Sequence, residues 1–338
     1  MSVADIIDDV RARGDVAVRE WSERLDGVAP ARAEPGGDLP EAELLELAER
    51  VRAWHEAQRP RDVRLETAPG VELERRWLPL QSLGVYVPRN LVSTLVMCVV
   101  PAQVAGVERI VVATPPAGAA LVSAAALLVG VEEVWALGGP PAIAAFAYGT
   151  ETIARVDKIV GPGNAYVNEA KLLVSCDVAI DLPAGPSEVV VVAGAGAERA
   201  IVELELAAQA EHGADAVTRV VDVNGDLEAA LRAVDDLAPE HVVLLGDADR
   251  LATRIRNAGA IFVGADSPVA AGDYATGGNH ALPTGGWARA VGGIGLETFL
   301  KPVTIQRLTR DGLDRLRPVV EALARVEGMT AHAAAVQR

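Results

Sequence analysis

An alternation of short apolar strands with helices, repeated from about residue 83 to residue 263, constrains the fold of this chain more than any other feature. The strand candidates are almost wholly apolar, as in the Arg-Ile-Val-Val-Ala run at 109–113, and helical patterns follow them. Near-continuous apolar strands that alternate with helices are typical of parallel sheets covered by helices on both faces. The pattern therefore predicts an α/β protein.

The alternation divides into two stretches, and each stretch predicts one Rossmann-like parallel-sheet module. The first module covers residues 83–187 and the second covers residues 188–305. Residues 1–82 hold helices that join the first module, and residues 306–338 form a C-terminal helix and tail. Neither module carries the G-x-G-x-x-G fingerprint of dinucleotide-binding folds.

Local periodicity predicts further elements around the two modules. It predicts one helix over residues 2–25, a second over 40–58 with His55 at the surface, and another over 248–257. The last residues, 327–338, follow the final helix, and a free tail of this kind normally frays.

Charge and cysteine content exclude several classes of function. The chain has 47 acidic and 31 basic residues and a formal net charge of -16, which argues against nucleic acid and anionic membranes as partners. The longest apolar runs, near 91–105 and 119–131, contain proline or glycine and are short for a bilayer span. Cys98 and Cys176 lie in apolar segments, which predicts reduced core residues and a cytoplasmic protein.

A helix end at residues 209–213, Gln-Ala-Glu-His-Gly, brings together two kinds of metal ligand. Gln209 and His212 are three residues apart and share one helix face, and Gly213 is the residue type expected just past a helix end. Taken alone, the pentapeptide is more simply a helix C-cap with two surface side chains. A closed zinc site would need two more ligands, for which carboxylate or imidazole is suited.

Three further histidines lie beside carboxylates, in a glycine-rich loop or in the tail. These candidates, with the acidic residues near them, are Glu240-His241, Asp273, His280 and His332. Each one alone is explained as a loop end, a turn former or a solvated side chain. Together with the helix end at 209–213, they indicate a metal ion beside an acid–base pair.

A turn with the sequence Gly161-Pro162-Gly163-Asn164 lies between a predicted strand and a predicted helix. Such a turn exposes backbone N–H groups at the start of a helix, which suits a phosphate or another polar ligand. The turn does not match the dinucleotide fingerprint, so a nicotinamide site in this chain would be atypical.

Eight segments of the chain, taken together, resemble the histidinol dehydrogenase family. They occur in the family's order and cover most of the chain from about residue 83 onward. The segments are 156–167, 181–188, 209–213, 238–241, 257–262, 271–274, 279–284 and 327–332. The resemblance implies an enzyme of histidine biosynthesis that oxidises L-histidinol to L-histidine through L-histidinal, with two NAD molecules.

The resemblance also implies a role for each matching residue. Glu240 and His241 match the acid–base pair, and Tyr86 and Asn164 match contacts to NAD. The implied substrate-binding residues are Ser187, Gln209, His212, His241, Asp273, His280, Glu327 and His332. The implied ligands of one zinc ion per subunit are Gln209, His212, Asp273 and His332. Since the family's fourth ligand comes from the partner subunit, His332 implies a homodimer with shared active sites and a small helical dimerisation tail.

The chemistry of these residue types fits the implied roles. A neutral imidazole such as His241 is the natural base for the proton of an alcohol, which must leave before hydride can. The aldehyde must then be hydrated, and Glu240 can activate the water. Zinc with four protein ligands can expand its coordination to anchor an imidazole and an amine, so its role is to orient the substrate.

Departures from the family pattern keep two alternatives open. The chain is shorter than typical members, and residues 222–237 are compressed to one short helix. Arg89 stands in a loop that usually holds glycine, and Pro141 stands where the family has a glutamine that contacts the cofactor. These changes weaken NAD binding or shift the preference toward NADP. The alternatives are a zinc- and NAD-dependent dehydrogenase of another small polar alcohol, and a non-catalytic zinc-binding homodimer.

Overall fold

The strands and helices of this chain were assigned in a computed structural model that describes residues 2–183 and 185–337. The strands are β1 (Ala31–Arg32), β2 (Val63–Ala68), β3 (Val71–Pro79), β4 (Ser82–Tyr86), β5 (Arg109–Thr114), β6 (Glu133–Ala136), β7 (Lys158–Val160), β8 (Ala179–Ile180), β9 (Glu188–Ala193), β10 (Val217–Asp222), β11 (His241–Leu245), β12 (Ala260–Val263) and β13 (Leu300–Leu308). The α-helices are α1 (Val3–Arg13), α2 (Asp15–Asp26), α3 (Glu41–Ala57), α4 (Val92–Ala105), α5 (Ala119–Leu128), α6 (Gly139–Tyr148), α7 (Ala165–Val174), α8 (Arg199–Ala210), α9 (Leu227–Leu237), α10 (Val269–Tyr274), α11 (Arg310–Val326) and α12 (Thr330–Ala335).

Two parallel sheets form the centre of the larger of two structural units. This unit, unit 1, comprises residues Met1–Gln58 and Leu80–Phe299. Its first sheet has the strand order β1-β6-β5-β4-β7-β8, and every neighbouring pair except β1 with β6 is parallel. The prediction of an α/β fold with parallel sheets is confirmed.

The first sheet is packed on helices because its strands are apolar on both faces. Helices α1, α6 and α7 pack on one another and share a buried core with residues of β4, β5 and β7. On β5, Val111 and Ala113 lie in this core, while the buried Val112 between them points to the opposite face. Chain order reverses between β4 and β7, so the carboxyl ends of these two strands lie side by side.

The second sheet of unit 1 is wholly parallel, with the strand order β10-β9-β11-β12. Alternate residues of β9 serve two separate cores: Val190 and Val192 pack with α9, whereas Val189 and Val191 pack with α8. Helices therefore cover both faces of this sheet.

Unit 2 combines two segments that are far apart in sequence, Arg59–Pro79 and Leu300–Arg338. They form an antiparallel sheet in the order β13-β3-β2, followed by α11 and α12. The C-terminal tail forms a short helix, as the resemblance implies, and α12 folds back on α11. The Arg317 Nε donates to the carbonyl of Val336 at 2.9 Å, and the Gln337 amide donates to Glu321 at 2.6 Å.

Two predicted helices differ in the structure. The helix predicted over 2–25 is divided into α1 and α2 at Gly14, whose φ of +55° favours glycine. The Glu151 carboxylate explains the break, because it accepts from the Asp15 N–H at 2.9 Å and would contact a Cβ on Gly14. The helix predicted over 248–257 is only a short 3₁₀ turn at Gly246–Leu251.

Two predictions of burial are also wrong. The sequence predicts His55 at the surface, but the side chain is fully buried, and its Nδ1 donates to the carbonyl of Val51 in the same helix at 2.7 Å. Cys98 is buried as expected, whereas Cys176 is exposed, since it lies beyond the end of α7 at Val174. None of the described helices is long and apolar enough to span a bilayer.

Candidate active site

A cavity of about 490 Å³ in unit 1 brings most of the predicted site residues together. Seven of them line its wall: Ser187, Gln209, His212, Glu240, His241, Asp273 and His280. The same wall contains Gly161, Lys171 and Asp181 from the region around the Gly-Pro-Gly-Asn turn. The other two substrate-site predictions, Glu327 and His332, belong to unit 2.

The second sheet presents the amino ends of its strands to this cavity. Ser187 immediately precedes β9, and Glu240 and His241 stand at the start of β11. The two strands are parallel neighbours, with His241 opposite Val189, so their amino ends lie side by side at the same end of the sheet. The first sheet contributes the carboxyl end of a strand instead, since Gly161 directly follows β7.

Glu240 is held as a buried carboxyl with two hydrogen bonds to one of its oxygens. Its Oε2 accepts from the Ser187 hydroxyl at 2.6 Å and from the Glu188 N–H at 2.8 Å. Burial raises the pKa of Glu240 to about 7, although these two hydrogen bonds act in the opposite direction. A carboxyl that changes protonation state near neutral pH is suited to general acid–base catalysis.

His241 is arranged as a neutral base. Its Nδ1 lies 3.1 Å from the carbonyl of Glu188, and since a carbonyl only accepts, Nδ1 carries the proton. Its Nε2 is buried, has no hydrogen-bond partner among residues 2–183 and 185–337, and lies 3.9 Å from the Asp273 carboxylate. Burial lowers the pKa of His241, which leaves a free lone pair on Nε2.

The donor groups around Gln209 fit a zinc ion in their chemistry. The Gln209 amide nitrogen donates to the Ser187 hydroxyl at 2.9 Å, so its oxygen points elsewhere. The Asp273 carboxylate accepts no hydrogen bond in the described part of the chain, and His212 is exposed just past the end of α8. Amide oxygen, carboxylate and imidazole are all ligands that a divalent metal accepts. No cluster of three or more His, Cys, Asp or Glu side chains suited to a metal occurs among the described residues.

His280 is fixed at both ring nitrogens. Its Nδ1 donates to the carbonyl of Asp273 at 2.9 Å, and its Nε2 accepts from the Thr94 hydroxyl at 3.1 Å. Burial lowers the pKa of His280, so the ring is neutral and rigidly oriented in the wall. Thr94 gave no signal in the sequence, because it lies inside an apolar helix.

Glu205 is a second wall residue that the sequence analysis missed. It is buried one turn before Gln209 on the same face of α8, and burial raises its pKa. Its carboxylate accepts from the Val269 N–H at 3.3 Å. The i, i+4 spacing to Gln209 is the signal that could have revealed it.

The two predicted NAD contacts have structural partners of their own. Tyr86 is buried, and its hydroxyl accepts from the Gly139 N–H at 3.1 Å. Asn164 caps α7, where its side-chain oxygen accepts from the Val167 N–H at 3.1 Å. Pro141 lies buried in the first turn of α6, and Arg89 is exposed. Their part in cofactor binding stays a prediction.

Comparison with known proteins gives consistent matches over almost the whole chain. The sequence model of the histidinol dehydrogenase family matches residues 1–226 and 218–338. The histidinol dehydrogenase of Methanosarcina mazei is 39% identical over 392 aligned positions, covering 99% of this chain and 90% of the relative. That of Cereibacter sphaeroides is 42% identical over 392 positions with the same coverage.

A solved structure also matches over almost the whole chain. The crystal structure of histidinol dehydrogenase from Elizabethkingia anophelis has a TM-score of 0.91 and 31% identity, covering 99% of this chain and 90% of that chain. The two family-model matches overlap at residues 218–226, where the compressed stretch at 222–237 begins. The sequence and structural matches agree, and the chain belongs to the histidinol dehydrogenase family of NAD-linked oxidoreductases in histidine biosynthesis.

Proposed function

We propose that the cavity in unit 1 binds L-histidinol and oxidises it to L-histidine through L-histidinal, with two NAD molecules as hydride acceptors. One observation carries the proposal: the Nε2 of a neutral His241, which has no hydrogen-bond partner in the described part of the chain, lies in the same wall as Glu240, whose pKa is about 7. Two bases in one cavity suit a reaction that removes protons in two successive oxidations.

His241 serves the first oxidation. Its Nε2 takes the hydroxyl proton of the alcohol while the carbon gives a hydride to NAD, which leaves an aldehyde, NADH and one proton. The Glu188 carbonyl holds the Nδ1–H and stabilises the imidazolium that forms. The Asp273 carboxylate, 3.9 Å from Nε2, favours the same charge.

Glu240 serves the second oxidation. Water adds to the aldehyde to give a hydrate, which then gives a second hydride to NAD and releases two protons, so that a carboxylate and NADH are formed. Glu240 accepts a proton from the attacking water, for which its ionised form is needed. The Ser187 hydroxyl and the Glu188 N–H hold Oε2, whereas Oε1 accepts no hydrogen bond from the described residues and is available for this role.

Gln209, His212 and Asp273, with His332 of a second copy, would hold the zinc ion. When bound, zinc would anchor the imidazole and the amine of the substrate and so orient it. The contact from the Gln209 nitrogen to Ser187 fixes which end of the amide can face a metal. Ser187 thereby connects the proposed metal ligand to the Glu240 base.

We expect about one zinc ion per chain when the purified protein is dialysed mildly and measured by elemental analysis. His212→Ala should lower the zinc content well below that value, because it removes one of the proposed ligands. Thr284→Val removes a cavity hydroxyl that is not a proposed ligand, so its zinc content should match the unmodified protein. Metal-free protein with full activity would contradict the proposed site.

The rate of L-histidinal oxidation should rise with pH through about 7, because Glu240 must be ionised to act as the base. Ser187→Ala should move the midpoint of this rise to higher pH, since the lost hydrogen bond lowers the pKa of Glu240. The measurement is kcat with L-histidinal as a function of pH. Thr284→Val is the matched control, and a midpoint that is the same in all three proteins would refute the assignment.

We also infer a cytoplasmic homodimer with shared sites and two Rossmann-like modules per chain. The exposed apolar side chains Val319, Leu323 and Val326 lie at i, i+4 and i+7 on α11, which supports a surface for a second copy. The exposed His332 on α12 belongs to the same unit. The strand order of the first sheet, with its reversal between β4 and β7, supports the Rossmann-like description.

A direct assay separates this proposal from its two alternatives. Purified protein, zinc, NAD and L-histidinol are mixed, and the absorbance of NADH is followed. We expect two NADH per L-histidinol consumed. A non-catalytic homodimer would give none, and a dehydrogenase of another alcohol would turn over that alcohol with a far higher kcat/KM than L-histidinol.

A further inference from the structure

A buried ion pair lies in the cavity wall on the side of the first sheet, away from the acid–base pair. The Lys171 ammonium on α7 pairs with the Asp181 carboxylate that follows β8. Both side chains are nearly inaccessible, with exposed fractions of 2% and 5%. The two residues line the cavity, yet the proposed reaction assigns them no role.

The pair holds one residue, Gly161, by both of its backbone polar groups. Lys171 Nζ donates to the Gly161 carbonyl at 2.9 Å, and Asp181 Oδ2 accepts from the Gly161 N–H at 2.7 Å. These bonds hold the two peptide units on either side of the Gly161 Cα, so a change in the φ or ψ of Gly161 breaks at least one charge-assisted hydrogen bond.

Gly161 begins the turn that forms this part of the wall. Its φ is +108°, and a Cβ there would lie 2.1 Å from the carbonyl oxygen of Tyr86, so the backbone is pressed against the end of β4. Asn168 then donates to the carbonyl of Gly163 at 3.0 Å and fixes the far end of the turn. Residues 161–163 all line the cavity.

Stability alone does not account for the pair. Replacing a buried ion pair by apolar residues of similar volume is often neutral or stabilising, because desolvation offsets the attraction between the charges. The turn it holds stands at the carboxyl ends of β7 and β4, where strand order reverses. In open parallel sheets this is the place where nucleotide ligands bind.

We propose that Lys171 and Asp181 are positioning residues that fix the turn at 161–163 and thereby hold NAD against the substrate. This inference rests on the proposed function. The start of β11 supplies the bases, α8 and α10 carry proposed metal ligands, and the fixed turn supplies the opposing surface for the cofactor. Loss of the pair lets the turn shift, and a misplacement of about 1 Å can lower a reaction rate by about 10²-fold.

The test is the double variant Lys171→Met/Asp181→Leu, which removes both charges and keeps the apolar volume. We expect its Kd for NAD, measured by calorimetry without substrate, to rise about tenfold or more. The KM for NAD should rise with it, while the KM for L-histidinol stays within about twofold. If the double variant is insoluble, Asp181→Asn is measured instead, and a rise of about threefold or more is expected.

Val174→Ala is the matched control, because it removes buried volume from the same helix without touching the turn. It should lower the melting temperature and leave the Kd for NAD unchanged. A folded double variant or Asp181→Asn protein that binds NAD as the unmodified protein does would overturn the proposal. Failure of the proposed function itself has a different signature, since the unmodified protein would then not oxidise L-histidinol.

Discussion

His241→Asn is expected to slow the oxidation of L-histidinol by about 10²–10⁴-fold, the usual effect of losing a general base. Asparagine can still donate to the Glu188 carbonyl through its amide, as the Nδ1 of His241 does at 3.1 Å. What it lacks is the buried lone pair at Nε2. The variant therefore removes the base and keeps the local hydrogen bond. Stopped-flow measurement of the first NADH formed per site gives the rate of this step.

Glu240→Gln is the companion variant and should impair the other step. Its amide oxygen can accept from Ser187 and from the Glu188 N–H, which keeps the position of the side chain. The first NADH should then form at a rate close to that of the unmodified protein, while L-histidinal oxidation falls by about 10²–10⁴-fold. Equal loss of both steps would show that the two bases do not divide the work in this way.

The α/β class could be predicted from the sequence because strands that are buried on both faces consist of continuous runs of apolar residues. Apolar runs such as 109–113 and 241–245 need no long-range information to be identified as strands. The end of α8 was predicted for the same reason, since Gln209 and His212 are brought together by helical spacing alone.

Other features depend on contacts between distant segments and left no local trace. Residues 71–79 pair with 300–308 in unit 2, a partnership that no periodicity encodes. His55 has the polar helical neighbours of a surface residue, yet the fold buries it completely.

The arrangement of the site also lay beyond local patterns. The motifs identify Glu240 and His241, but they do not show that both stand at the amino end of β11, beside the start of the neighbouring strand β9. In the sequence, Lys171 and Asp181 are isolated charged residues within apolar segments. Only the fold shows that both side chains hydrogen-bond to the backbone of Gly161. Side chains that act through a distant backbone group carry no spacing signal.

The largest gain of activity is expected from mixing two inactive proteins, Gln209→Ala and His332→Ala. If each zinc site takes His332 from a second copy and its other ligands from one chain, each homodimer has two defective sites. In a heterodimer of the two variants, one site receives both defects and the other receives none. After subunit exchange, activity should rise toward about half of the unmodified value in the pure heterodimer.

The pair Gln209→Ala and His212→Ala is the decisive control for this experiment, because both residues belong to the ligands that one chain supplies. Their heterodimer has one defect in each site, so exchange should restore nothing, although the proteins are mixed in the same way. Heterodimer formation is verified by native mass spectrometry in both mixtures. If the Gln209→Ala and His332→Ala mixture exchanges subunits and stays inactive, His332 does not complete the site of another copy, and the shared-site homodimer must be abandoned. If both mixtures regain activity, the recovery comes from something other than complementation across a two-fold axis, and the proposed division of ligands between chains is wrong.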